Sequence, residues 1–158
     1  MASILPTFVD SARLAASRAR LQGHMPATQF IRITSAFSLV GAVNVTLEFA
    51  LNDRGQPVIC GELHLRATAQ CQRCLETAHF ELNSVLAHEV EDEYRTKSDT
   101  GNTLFDLAAF IEDECILTFP ISAMHPAGAC IPPGDPALIA GGGPNPFDVL
   151  TSLRQNER

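Results

Sequence analysis

No stretch of this 158-residue chain approaches the roughly 20 apolar residues that a membrane helix requires. Met1 to Pro6 lack a basic segment followed by an apolar core, so no secretory signal is expected, and a cytoplasmic location is. Basic residues are few: 11 Lys and Arg stand against 18 Asp and Glu, for a net charge of −7 at pH 7. That balance argues against the broad cationic face with which proteins grip duplex nucleic acid. Five cysteines, an odd number with no export signal, argue against a disulfide framework. Signatures of catalysis are missing as well. Gly141–Gly143 is not followed by Lys and Ser/Thr, so it is no phosphate loop, and neither a G-x-S-x-G elbow nor an H-E-x-x-H pair occurs. The expectation is a protein that is not an enzyme.

What is present suits a folded domain: 46% of residues are apolar and 18% charged. The charge is segregated. Residues 1–35 carry Arg13, Arg18, Arg20 and Arg32 against Asp10, whereas residues 81–114 carry ten acids against Arg95 and Lys97. Such polarity fits a protein partner with basic segments, a small phosphate contact near the N-terminus, or simply two solvated faces.

Asp10 is placed to cap a helix over 11–20, rich in alanine and punctuated by Gly23 and Pro26. Val43, Val45, Leu47, Phe49 and Leu51 alternate with polar residues, which reads as a half-buried strand. Asn52–Gly55 turns the chain, and Leu63, Leu65, Ala67 and Ala69 mark a second inward row. After Cys71-Gln72-Arg73-Cys74 a third strand turns Ala78, Phe80 and Leu82 inward, with a phase change near Ser84–Leu86 that suggests a bulge. Residues 96–102 read as a loop. Thr103 then reads as the cap of a helix to about 118, with Leu104, Ala108, Ile111 and Cys115 as its apolar stripe and Glu112 and Asp113 outside. The fold class expected is α+β: an antiparallel meander or partly open barrel, packed by the N-terminal helix and one longer helix. Residues 1–125 form that domain. Residues 126–158 form an irregular Pro/Gly-rich tether, with six of the ten prolines and five of the ten glycines within 126–146. It ends in a short helical segment carrying Phe147, Leu150 and Leu153 on one side.

Cys71 and Cys74 stand at the bend between two strands, where a C-x-x-C turn aims both sulfurs into one small volume, a geometry suited to zinc. His125 and Cys130 would complete a Cys3His set and pin the 121–131 loop. Two unliganded thiols in a tight turn are the alternative. Redox chemistry is disfavoured, because no helix N-terminus is expected at Cys71 to lower a thiol pKa. Cys60 and Cys115 read as small core residues, and His24, His64, His79 and His88 are scattered.

Taken in order, Asp10-x-x-Arg13, Cys71-Gln-Arg-Cys74, Glu112-Asp113-Glu114 leading to Pro120, His125 with Cys130, and Asn145-Pro146-Phe147-x-x-Leu150-x-x-Leu153 resemble the YceD family over nearly the whole chain. The resemblance implies ribosome biogenesis: support for accumulation, processing or stability of the 23S large-subunit ribosomal RNA, with no catalytic residues. In some members the region after the helix carries further cysteines in a zinc-ribbon-like arrangement; this sequence has His125 and Cys130 there. Two modes of action follow as expectations. In the first, a non-enzymatic adaptor docks ribosome-assembly or rRNA-associated proteins through Glu112, Asp113, Asn145, Pro146, Phe147, Leu150 and Leu153. In the second, a zinc-knuckle module contacts RNA directly through Arg13, Arg18, Arg20 and Arg73.

Overall fold

A computed structural model describes residues 3–33, 37–90, 92–97 and 103–130. In chain order its elements are β1 (Ser3–Ile4), β2 (Phe8–Val9), α1 (Ser11–Ala16), β3 (Arg20–Pro26), β4 (Ser38–Leu39), β5 (Ala42–Leu51), β6 (Pro57–Gln70), β7 (Thr77–Glu89), β8 (Arg95–Lys97), β9 (Thr103–Asp106) and α2 (Leu107–Thr118). Single 3-10 turns lie at Ala27–Gln29 and Asp92–Tyr94.

The alternating residues form an open antiparallel sheet in the order β1-β3-β5-β6-β7, with β4 extending the β5 side of β6. Only β1 runs parallel to its neighbour. A small second sheet, β2-β9-β8, leads into α2. The class is the expected α+β, and the large sheet does not close into a barrel. Because strand side chains alternate in direction, Val43, Val45, Leu47 and Phe49 of β5 share one buried face with Ile59, Leu63 and Leu65 of β6 and Leu86 of β7. Phe105, Leu107, Phe110 and Ile111 cover that face from the other layer. Each fully buried side chain of this kind contributes about 1.5–3 kcal/mol.

Two glycines allow the close strand approach. A Cβ on Gly61 would lie 2.1 Å from the Thr46 carbonyl oxygen, and one on Gly23 would lie 2.2 Å from that of Ser3, where β1 passes. No side chain fits at either position.

Several sequence expectations need correction. The N-terminal helix stops at Ala16, and Arg20–Pro26 is a strand. Arg18 takes a positive φ of 50°, its N–H donates to the Ala15 carbonyl, and Ala19 N–H reaches back to that of Leu14. This closure of the last turn turns the chain out of the helix and onto β5, where Phe49 N–H donates to the Ala19 carbonyl. Thr103 is no cap but the first residue of β9; Asp106 caps α2 by accepting from Ala109 N–H at 2.9 Å. Thr96 and Lys97 pair with β9 instead of looping, and 98–102 lie outside the described residues. No bulge interrupts β7, whose pairing with β6 runs in one register from Glu89 opposite Val58 to Thr77 opposite Gln70. That register turns Cys60 to the wet face, so it is exposed, not core. Cys115 is buried as expected, and burial pushes its thiol up to about 12, which leaves it unreactive.

Glu112, expected outside, is 3% exposed. The reason lies eighty residues upstream. Its carboxylate accepts from the backbone N–H groups of Arg32 and Ile33 and from Arg32 Nε at 3.1 Å. Arg32 also donates to Asp113 and to the Ala109 carbonyl, and Tyr94 O–H donates to Asp113 at 2.8 Å. Glu114 is likewise buried and meets His88 Nε2 at 3.2 Å. One carboxylate thus ties the irregular segment at 30–33 to α2. Replacing Glu112 with Ala strands two part-buried N–H donors and is expected to cost about 1–3 kcal/mol in urea denaturation. Asp113→Asn, at a half-exposed position, is expected to cost under about 1 kcal/mol.

Candidate metal centre

The bend between β6 and β7 builds the site. Cys71 N–H donates to the Glu76 carbonyl at 2.8 Å and Leu75 N–H to the Cys71 carbonyl at 2.9 Å, closing a tight knuckle. Leu75 takes a φ of 65° to complete it, a strained conformation for a residue with a Cβ. The loop after α2 is held against the knuckle by Gln72 N–H, which donates to the Ala123 carbonyl at 2.8 Å. That contact delivers His125 and, five residues on, Cys130.

Cys71, Cys74, His125 and Cys130 therefore converge, with one donor atom from each lying within 4.8 Å of all the others. Cys71 and Cys130 sulfurs are 4.0 Å apart, and Cys74 Sγ lies 3.3 Å from His125 Nδ1. A tetrahedral zinc with sulfur bonds of about 2.3 Å calls for sulfur–sulfur edges of roughly 3.8 Å, so little rearrangement separates this arrangement from a coordinating one. The histidine is presented correctly as well. His125 Nε2 lies 3.2 Å from the Thr77 carbonyl, which can only accept; that bond places the ring proton on Nε2 and leaves the Nδ1 lone pair facing the sulfurs.

Electrostatics favour a cation. Burial opposes ionisation of Cys71, yet backbone N–H groups of Cys74, His125 and Arg73, together with the Cys74 thiol, outweigh it and bring Cys71 down to about 5. Burial and its thiol neighbours instead hold Cys74 above the usual thiol range. Two sulfurs so close do not both ionise without a positive charge between them. Arg73 supplies part of that charge: its guanidinium donates to Cys130 Sγ at 3.2 Å and to the carbonyls of His125 and Pro126. Three thiolates around a divalent ion leave one negative charge, and Arg73 carries the matching positive one. All four protein ligands are present, so the set has the closed character of a structural site.

The other candidates are dispersed. Arg73 serves the knuckle, and Arg20 pairs with Glu48 at 3.3 Å, while Arg13 and Arg18 are exposed. Glu112 and Asp113 are engaged by Arg32. Asn145, Pro146, Phe147, Leu150 and Leu153 lie outside the described residues. Of the scattered histidines, His64 meets Glu81 at 2.9 Å and His88 meets Glu114. The spacing of the cysteines pointed to the four ligands. The orienting role of Thr77 did not show in the sequence, since a backbone carbonyl leaves no signature there.

The chain is 27% identical to the large ribosomal RNA subunit accumulation protein YceD of Haemophilus influenzae, an alignment covering 96% of this chain and 97% of that protein. This supports the YceD resemblance. No family model matches the chain, and no solved structure matches it. Like the motifs, the alignment runs from end to end, so the likeness includes the knuckle, α2 and the terminal segment together.

Cobalt(II), whose thiolate charge-transfer bands report sulfur ligation, is expected to bind at one ion per chain and to be displaced by zinc. Cys74→Ser is expected to abolish the bands and Cys60→Ser to leave them intact. Arg73→Ala is expected to weaken the metal about 10–100-fold while retaining the spectrum.

Proposed function

We propose that this protein supports accumulation of the large-subunit ribosomal RNA as a non-enzymatic cytoplasmic factor working through protein partners, its loop architecture pinned by a zinc ion. The observation that carries this reading is the end-to-end similarity to a protein bearing the accumulation role in its name. The chemistry of the chain supports it. The reactive groups gathered at the knuckle form a closed ligand set, with a guanidinium against one sulfur and a backbone carbonyl fixing the histidine. That arrangement holds a loop; it offers no open coordination position for a substrate. No described helix is long and apolar enough to cross a membrane, which is consistent with the location proposed.

Partner contact is assigned to the terminal segment with Phe147, Leu150 and Leu153. Glu112 and Asp113, first considered for that role, already satisfy Arg32 and Tyr94 and have little capacity left for a partner. Direct RNA binding is the less favoured mode. Two of its four candidate arginines, Arg20 and Arg73, are engaged within the fold, on a chain of net charge −7.

Cells lacking this protein are expected to show a reduced ratio of large- to small-subunit ribosomal RNA, restored by the intact gene and by Cys60→Ser. An unchanged ratio overturns the proposal. Purified protein is expected to bind a large-subunit RNA fragment no better than the roughly 10⁻⁴–10⁻⁶ M of nonspecific contact at physiological salt. Tight binding that weakens steeply with salt and is lost on chelation would transfer the role to direct RNA contact.

A further inference from the structure

The stretch between the last turn of α2 and the knuckle divides its side chains sharply. Phe119 stacks on Phe37 with ring centroids 4.2 Å apart, and Ala123 is buried. Ile116, Leu117, Ile121 and Met124 turn the other way, and Leu117 and Ile121 are 76% and 103% exposed. Single exposed apolar residues are ordinary on a protein surface; four within nine residues mark a place that something covers. The stretch is also firmly held. Phe119 anchors its beginning, and the Gln72–Ala123 hydrogen bond with the His125 contacts anchors its end. A covering element would meet a fixed surface.

The position of Cys130 indicates what that element is. Its sulfur lies in the knuckle beside Cys71, so residues 131–158 depart from a point next to the exposed stretch. Residues 131–146 contain five prolines and four glycines. A flexible tether of this length reaches roughly 20–24 Å and keeps whatever it carries at an effective concentration on the order of millimolar around its base. It carries Phe147, Leu150 and Leu153, spaced i, i+3 and i+6, which places the three on one side of a helical turn. Short of partners of its own, such a triplet needs an apolar surface nearby, and residues 116–124 supply one.

We propose that residues 147–153 dock on residues 116–124 of the same chain, with Phe147, Leu150 and Leu153 covering Leu117 and Ile121. The metal centre then has a second consequence: by fixing Cys130 it sets the point from which the tail reaches that surface. A partner that takes the tail must lift it away, which uncovers Leu117 and Ile121 together with the anchors. The docking belongs to the free protein and holds whatever the identity of the partner or RNA.

Methyl-labelled full-length protein tests this by NMR. In Phe147→Ala/Leu150→Ala/Leu153→Ala, the methyl resonances of Leu117 and Ile121 are expected to shift, while those of Val45 and Ile59 in the core stay in place. The reciprocal variant Leu117→Ser/Ile121→Ser, at two exposed positions, is expected to move the methyls of Leu150 and Leu153. The wild-type shifts are expected to be unaltered by tenfold dilution. Unmoved Leu117 and Ile121 resonances overturn the proposal. Shifts that change with dilution also overturn it, by assigning the surface to a second copy of the chain. Ribosomal RNA levels do not enter this readout, so its failure is distinct from failure of the proposed cellular role.

Discussion

An unbroken antiparallel register between β6 and β7, from Val58 opposite Glu89 to Gln70 opposite Thr77, underlies the rest of the structure. It assigns every side chain of both strands to a wet or a dry face, and a slip of one residue would exchange the two. The dry face receives α2 through Leu86 and through His88, whose ring packs edge-on to Phe110. The register also places the chain reversal at residues 71–76, and so the sulfurs of Cys71 and Cys74, at the far end of the longest hairpin. The knuckle inherits its rigidity from that hairpin. Thr77, the first residue of β7, supplies the carbonyl that orients His125.

Two irregular segments are tied to this frame by polar contacts across long sequence separations. Residues 30–33 are tied to α2 by the Glu112 carboxylate, and residues 123–130 are tied to the β6–β7 bend by the candidate metal set. Both use the same physics. Irregular backbone cannot satisfy its own N–H and C=O groups or bury enough apolar area, so a few strong, charge-assisted contacts replace a secondary-structure ladder. At the knuckle the need for a cation is evident. Buried sulfurs drawn down by backbone amides, close to one another, form a site that a divalent ion stabilises and that protons stabilise less well.

The charge pattern acquires a different meaning once the partners are seen. In the acidic run of 81–114, Glu112 and Asp113 neutralise Arg32, Glu114 meets His88 and Glu81 meets His64. Much of what resembles an acidic surface is internal pairing. The exposed apolar residues from 116 to 124 are the stronger interaction feature, and they lie next to the point where the C-terminal segment departs.

Strand positions 43–49 and 63–69, the knuckle cysteines and the apolar stripe of α2 were legible in the sequence because each is written in local periodicity or spacing. So were the four ligands, since C-x-x-C at a bend and a later His/Cys pair reflect the requirements of one metal. Strand β3 was not legible: Arg20–Pro26 has weak alternation, and what ends α1 is a positive φ at Arg18, which no residue type announces. The continuity of β7 was hidden as well. Ser84 interrupts the apolar phase but keeps its inward place because Leu63 pairs with it. Glu112 looked like a solvated acid until Arg32 met it from eighty residues away. By itself the sequence determined the class of the fold and which side chains could ligate a metal, because both rest on short-range pattern and donor chemistry. Only the tertiary structure decided which charges are consumed internally and which apolar residues remain open, because both depend on contacts between segments far apart in the chain.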